Sequence, residues 1–361
     1  MRTKHIGLML AAVLTVVLSL AALTRLLEPK YMGQVTEGAF IGEYYDDNSP
    51  HDLLILGDCE AYENISPITL WKDFGITSWI RGSAQQLIPQ SYFLLEDTLR
   101  HETARAVLLS VSAMQQIEQV SETYNRMTLD GMRWSPVKLS AIRATMMPEE
   151  HVVEYVFPLL RFHSRWSDLG EDDFTYYFRR NKTTHNGYYL RADVRPAGEF
   201  PEERRVRNPE FEEKGYAYLD RIRELCESRG IKLLFFKAPS LYPVWHDEWN
   251  MQIEEYAANY GIPYINALEE IESIGIDFDT DTYDGGLHMN VYGAEKVSSW
   301  LGPMLQEAGL PDHREDTEPA ALWEEKAVRY EAVKEAQARE FAEKGYLSQF
   351  AGVTVQRLTK D

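Results

Sequence analysis

The sequence predicts a doubly wound α/β sheet, on three observations. Short apolar runs of strand length recur along the chain, helix-period stretches separate them, and two polar loops adjoin strand-like or helix-like segments. In sheets of this kind ligands bind beyond the carboxyl ends of the strands, so loops at that edge are the ones to search.

The elements follow in order. Leu53-Leu54-Ile55-Leu56, closed by Gly57-Asp58, has no apolar–polar alternation and reads as a strand buried on both faces. A helix-period stretch runs from Pro67 to about Phe74, and a second strand is expected over 76–80. Arg81-Gly82-Ser83 then turns into a helix from about Ala84 to Arg100, ahead of a third strand over 106–111. An amphipathic helix from about Pro209 to Arg229 leads into a fourth strand over 232–236. A helix over 252–260 precedes a short fifth strand, Pro263-Tyr264-Ile265-Asn266.

Over a hundred residues separate the third and fourth strands, too many for a crossover, so an insertion is expected at 124–205. It is rich in Trp134, Trp166, Phe174, Tyr176, Tyr177, Phe178, Tyr188 and Tyr189, with Arg179 and Arg180. A helical subdomain over one end of the sheet accounts for it, with or without a second role as an aromatic cap for a carbohydrate-like substrate. Residues 28–50 read as a polar, extended connector. The charged tail 311–361 has helical spacing from about Pro319 to Lys344, and a surface helix or docking segment is expected there.

Residues 1–27 are a membrane anchor or signal segment. Arg2, Lys4 and His5 precede an unbroken apolar run from Ile6 to Leu23. As a helix that run rises about 27 Å, close to the hydrocarbon thickness of a bilayer. Basic residues ahead of it favour a cytoplasmic N-terminus and an extracytoplasmic main domain. Ser19-Leu20-Ala21 offers a cleavage site; the length of the run favours an uncleaved, single-pass helix.

The formal net charge of −20 would repel phosphate-rich partners, which excludes nucleic acid as the expected ligand. Only Cys59 and Cys226 occur, with no CxxC and no Cys/His cluster at zinc spacing, so neither a disulfide scaffold nor a zinc site is expected. Cys226 falls on the helix feeding the fourth strand and reads as core. No metal and no cofactor are called for. The acidic run Asp277, Asp279, Asp281, Asp284 lacks the spacing of an EF-hand loop, which leaves calcium a minor reading.

Two loops carry the chemistry. Gly57-Asp58-Cys59-Glu60 follows the first strand and opens a helix, a position suited to a nucleophile whose own N–H faces an oxyanion. Asp281 to Asn290 holds Asp284 just upstream of His288, ahead of a helix from Tyr292 to Leu301, and suits an acid that orients an imidazole base. The string from Pro239 to His246 lies on the same side and is a candidate pocket lining.

On these residues the chain resembles the SGNH (GDSL-type) hydrolases over roughly 50–305. Leu54-Ile55-Leu56-Gly57-Asp58-Cys59 is similar to the family's first block, Gly82 stands where the second supplies an oxyanion glycine, and Asp284 to Gly293 is similar to the last. The chain departs from the pattern in three places. Cys59 replaces the serine, Asp284 lies four residues before His288 rather than three, and Ser110-Val111-Ser112-Ala113-Met114-Gln115-Gln116 stands for Gly-x-Asn-Asp.

The resemblance implies a flavodoxin-like α/β/α sandwich without obligatory metal. It further implies an extracytoplasmic acyl esterase or O-acyltransferase acting on acylated cell-envelope carbohydrate, with a membrane-bound acyltransferase as an expected partner. Cys59 would be the nucleophile, with a depressed pKa, His288 the base and Asp284 its orienter, with Asp281 in reserve. The N–H groups of Cys59 and Gly82 would hold the oxyanion, with Gln115 or Gln116 as a third donor. The alternative is a catalytically silent envelope protein that binds polysaccharide, or a membrane acyltransferase, in the same cleft.

Overall fold

Five buried apolar runs assemble one all-parallel sheet in the computed structural model, which describes residues 2–29, 31–32, 35–36, 39–175, 182–198, 200–201 and 209–350. The strands are β1 (Leu53–Gly57), β2 (Ser78–Gly82), β3 (Ala106–Ser110), β4 (Lys232–Lys237) and β5 (Tyr264–Asn266), in the order β2-β1-β3-β4-β5. Gly57 lies opposite Gly82, Leu56 opposite Leu109 and Ser110 opposite Phe236, so the carboxyl ends of β1 to β4 come level along one edge.

The principal helices are α1 (Arg2–Leu27), α2 (Cys59–Tyr62), α3 (Pro67–Phe74), α4 (Ile88–Thr98), α5 (Glu122–Leu129), α6 (Pro136–Thr145) and α7 (Val152–Val156). They continue with α8 (Leu159–Phe162), α9 (Glu171–Thr175), α10 (Glu213–Arg229), α11 (Asp247–Tyr260), α12 (Val291–Glu307) and α13 (Thr317–Lys344). Strand side chains alternate between faces. Leu53, Ile55, Leu108, Leu234 and Phe236 pack with apolar residues of α3, α12 and α13. Leu54, Leu56, Val107, Leu109 and Phe235 pack with those of α4, α10 and α11. Each such side chain, fully buried, contributes about 1.5–3 kcal/mol, so both faces of the central strands hold the sheet together.

Local chemistry sets the boundaries. Ser66 caps α3 by accepting the Thr69 N–H at 3.2 Å, Pro67 opens the helix, and Gly75 closes it in the left-handed conformation. Because Ile76 N–H is spent on Leu70 O behind that turn, β2 begins two residues later than expected and runs on through Arg81. The helix expected from Ala84 starts at Ile88, since Gln85 takes a positive φ in the intervening loop.

The connector is not wholly extended. Residues 39–42 form a helical turn with Ala39, Phe40 and Ile41 buried, and Ile41 O accepts a 2.7 Å bond from the fully buried Arg81. The C-terminal helix is not a loose surface element either. Trp323 of α13 is wholly buried and stacks on Trp71 of α3 at 5.5 Å, and Gln337 accepts the Ala192 N–H at 2.9 Å.

The insertion divides in two. Leu129, Val137 and Ile142 of α5 and α6 pack on Phe93 and Leu94 of α4, while α8 and α9 lean against α1. Residues 182–198 then return along the sheet edge, where Asn186 O accepts from Ile80 N–H at 3.0 Å and Tyr62 O from Tyr189 N–H at 2.9 Å. Trp134, Trp166 and Phe174 are exposed, and only Tyr188 and Tyr189 of the described aromatics lie against the Tyr62 turn. Tyr176, Tyr177, Phe178, Arg179 and Arg180 lie outside the described residues.

Residues His5–Leu27 form a helix long and apolar enough to cross a membrane.

Candidate active site

The two loops singled out in the sequence meet at the carboxyl edge of the sheet. Gly57 ends β1 with φ +154°, and a Cβ there would stand 2.6 Å from Ser110 Cβ, so only glycine lets the chain turn sharply beside β3. Asp58 caps the next turn by accepting Glu60 N–H at 3.1 Å, and it also accepts from Ser112 Oγ at 2.9 Å. Cys59 is the first residue of α2, where its N–H has no intrahelical acceptor. Gly82 ends β2 next door, where a Cβ would stand 2.8 Å from Gly57 O.

Asn64 fastens this turn to the second loop. Its amide donates to Glu60 O at 3.0 Å, and its carbonyl accepts Met289 N–H at 2.8 Å. On that loop Asp284 grips His288 twice. One oxygen accepts the His288 backbone N–H at 2.9 Å and the other contacts Nδ1 at 2.7 Å. The extra residue between acid and histidine therefore does not separate them. Asp281 is occupied elsewhere, in a 2.6 Å ion pair with Lys296.

A second acid shares Nδ1. Glu63 Oε2 lies 3.3 Å from it, and Tyr283 Oη lies 3.4 Å from it while donating to Glu63. Arg191, from the returning segment, places its guanidinium 4.2 Å over the Tyr283 ring and pairs with Asp193 at 2.7 Å. With Nδ1 committed, Nε2 is buried and has no hydrogen-bond partner.

These surroundings set the protonation states. Burial alone would depress the His288 pKa, but Glu63, Cys59 and Asp284 together raise it well above the ordinary imidazole value. Burial pushes the partly exposed Cys59 thiol up to about 11, against the opposing pull of His288. The expected depression of the thiol pKa is thus corrected: desolvation and the acids Asp58 and Glu63 outweigh the imidazolium. Asp58 is itself raised to about 6, chiefly by burial and then by Glu60. Thiol and imidazole interact through charge and through a weak side-chain hydrogen bond, both of which lower the Cys59 pKa, yet the contact falls short of the geometry that would satisfy Nε2.

Of the two glutamines considered as donors, Gln116 gives its amide to Glu118 O at 2.9 Å, whereas Gln115 Nε2 is buried without a partner. On the far side of the turn, Lys237 at the end of β4 is wholly buried and pairs with Glu60 at 2.8 Å. Cys226 is buried in α10, and both cysteines are free.

Glu63, Tyr283, Asn64 and Lys237 were not singled out by sequence. Glu63 carried a usable signal, since it stands four residues after Cys59 and so one helical turn along. The other three are recognisable only once the loops are brought together. Compared with known proteins, the chain matches no protein-family model and no curated sequence.

Proposed function

We propose that this protein is a membrane-tethered, extracytoplasmic SGNH-type acyl esterase or O-acyltransferase acting on acylated cell-envelope carbohydrate. The observation that carries the reading is the buried, unpartnered Nε2 of His288, with Nδ1 held by Asp284. That is the disposition of a base oriented for proton transfer. The strand order supports a flavodoxin-like reading of the parallel sheet, with the candidate residues at the carboxyl edge where such folds bind ligands.

In this reading the Cys59 sulfur attacks an ester carbonyl carbon as its proton passes to His288 Nε2. The carbonyl electron pair moves onto oxygen, facing the N–H groups of Cys59 and Gly82, with Gln115 the candidate third donor. Collapse breaks the C–O bond, His288 returns the proton to the leaving alcohol, and an acyl thioester remains. Water or a sugar hydroxyl then attacks the thioester as His288 takes its proton, and collapse breaks the C–S bond while that proton returns to the Cys59 sulfur. A membrane-bound acyltransferase is the partner proposed to supply or receive acyl groups, with α1 as the tether on the same membrane.

The second reading, a silent polysaccharide-binding protein, is favoured by one observation. A thiol pushed up to about 11 is a poor resting nucleophile at neutral pH. A chromogenic acetyl ester separates the two. Turnover should rise with pH as the thiol–imidazole pair loses a proton, persist in part in Cys59→Ser and vanish in Cys59→Ala. Alkylation of Cys59 by iodoacetamide should follow the same limb and weaken in His288→Ala. Unchanged turnover by Cys59→Ala, or a Cys59 inert to alkylation even at alkaline pH, leaves the binding reading in place.

A further inference from the structure

We propose that residues 152–175 form a lipid-facing platform that seats the domain on the surface of a phospholipid bilayer beside α1. The inference rests on the proposal that α1 spans the membrane. It concerns a different surface from the candidate active site.

Exposed apolar side chains are concentrated here. Outside α1, the described residues include fifteen exposed large hydrophobic side chains, and six fall within this one short stretch: Val153, Val156, Phe157, Leu160, Trp166 and Phe174. Scattered singly such residues are ordinary, but gathered together they mark a surface that is covered in use.

The inward face of the segment is already committed. Tyr155 is buried and accepts from Asn125 at 3.2 Å, and Arg161 forms paired 2.8 Å bonds to Glu122. The apolar residues are thus left facing out by a segment firmly held on its other side.

Position identifies the occupant. Arg165 donates to the carbonyls of Leu27 at 3.2 Å and Glu28 at 3.0 Å, closing the last turn of α1, and is itself held by Asp173 at 2.9 Å. The apolar helix His5–Leu27 has 23 residues. At about 1.5 Å per residue it outruns a hydrocarbon core of about 30 Å, so the Leu27 end stands at the interface. Elements packed against that end, α8, α9 and the 3₁₀ turn His163–Asp168, then lie at headgroup level. Trp166, the most exposed of the six at 73%, belongs to the residue type that collects at that depth.

Charge fixes the kind of lipid contact. Acidic residues outnumber Arg161 and Arg165 in this segment, and the whole chain carries −20. Attraction to anionic headgroups is therefore not the driving force. The contact is apolar insertion into the boundary between headgroups and acyl chains, indifferent to salt and to lipid charge.

The test uses the full chain in phosphatidylcholine proteoliposomes whose acyl chains are brominated, which quench nearby tryptophan. No tryptophan occurs in α1, so the anchor itself gives no signal. Quenching is expected, with Trp166→Phe removing most of it and Trp300→Phe, on α12, leaving it unchanged at low and high salt. Equal quenching in Trp166→Phe and the parent chain overturns the platform, as does quenching that needs anionic lipid and disappears in salt. Shielding of Trp166 in native membranes but not in pure lipid also overturns it, in favour of a protein partner. Flotation of the chain with the vesicles checks the anchor separately. A chain that floats without Trp166 quenching loses only the platform, and a chain that does not float loses both.

Discussion

Two buried charge clusters flank Cys59, both rooted in the turn that it opens, and they are built differently. Glu60 faces Lys237, one anion against one cation at 2.8 Å, with the ammonium also donating to Ala238 O. Glu63 faces His288, whose imidazole carries two carboxylates and a tyrosine on one nitrogen and nothing on the other. The first cluster is charge-balanced, although Glu60 Oε2 is itself buried without a partner, and it holds the turn against β4. The second holds excess negative charge, which fixes the imidazole's protonation state and leaves one atom unspent. Ion pairing alone does not mark a reactive site; an unspent atom within a charge imbalance is the better sign.

Three substitutions test the contrast. His288→Ala should lower ester turnover by about 10²–10⁴-fold, with only a modest change in the urea midpoint. Lys237→Met should do the reverse, costing about 3–5 kcal/mol of stability by stranding Glu60 as a buried, unpaired carboxylate. Equal losses of stability in the two variants would erase the distinction. Next, Glu63→Gln removes a charge that raises the pKa of both Cys59 and His288. The pH limb of iodoacetamide alkylation should move to lower pH, and an unmoved limb would reduce Glu63 to packing.

The smallest effect is at Asp58, whose pKa is raised to about 6 in the folded chain. A raised pKa means that the folded state binds the proton more tightly. The associated stability is full below about 3.8, the ordinary value, and is lost as pH rises through about 6. Asp58→Asn keeps the helix cap and removes the titration, so stability should gain about 1–2 kcal/mol at pH 7 and flatten between those values. Denaturation midpoints measured across that range decide it.

The sheet was legible because its strands are buried on both faces and so read as unbroken apolar runs, as in Leu53–Leu56. Arg81 broke that rule. A charged residue in a fully buried strand is tolerable only because Ile41, Tyr45 and Asp97 meet its guanidinium, and no local pattern reveals partners so distant in sequence. The docking of the connector is invisible in the sequence for the same reason. At the site, Cys59, Gly82, Asp284 and His288 could be placed from strand ends and loop composition. The thiol's pKa could not, because it depends on desolvation and on Glu63 from the other side of the turn.

The stacking of Trp323 on Trp71 has a consequence for how the molecule is made. Over two hundred residues separate the two indoles, yet each is an interior piece of the same layer. A chain emerging from its N-terminus onward presents α3 long before α13 exists to cover it. Contacts of such long sequence separation form late, and the apolar surface awaiting them stays open meanwhile. Maturation of this protein is therefore gated by α13, and a chain interrupted before residue 317 would leave the ribosome with its β1–α3 layer uncovered and prone to aggregate.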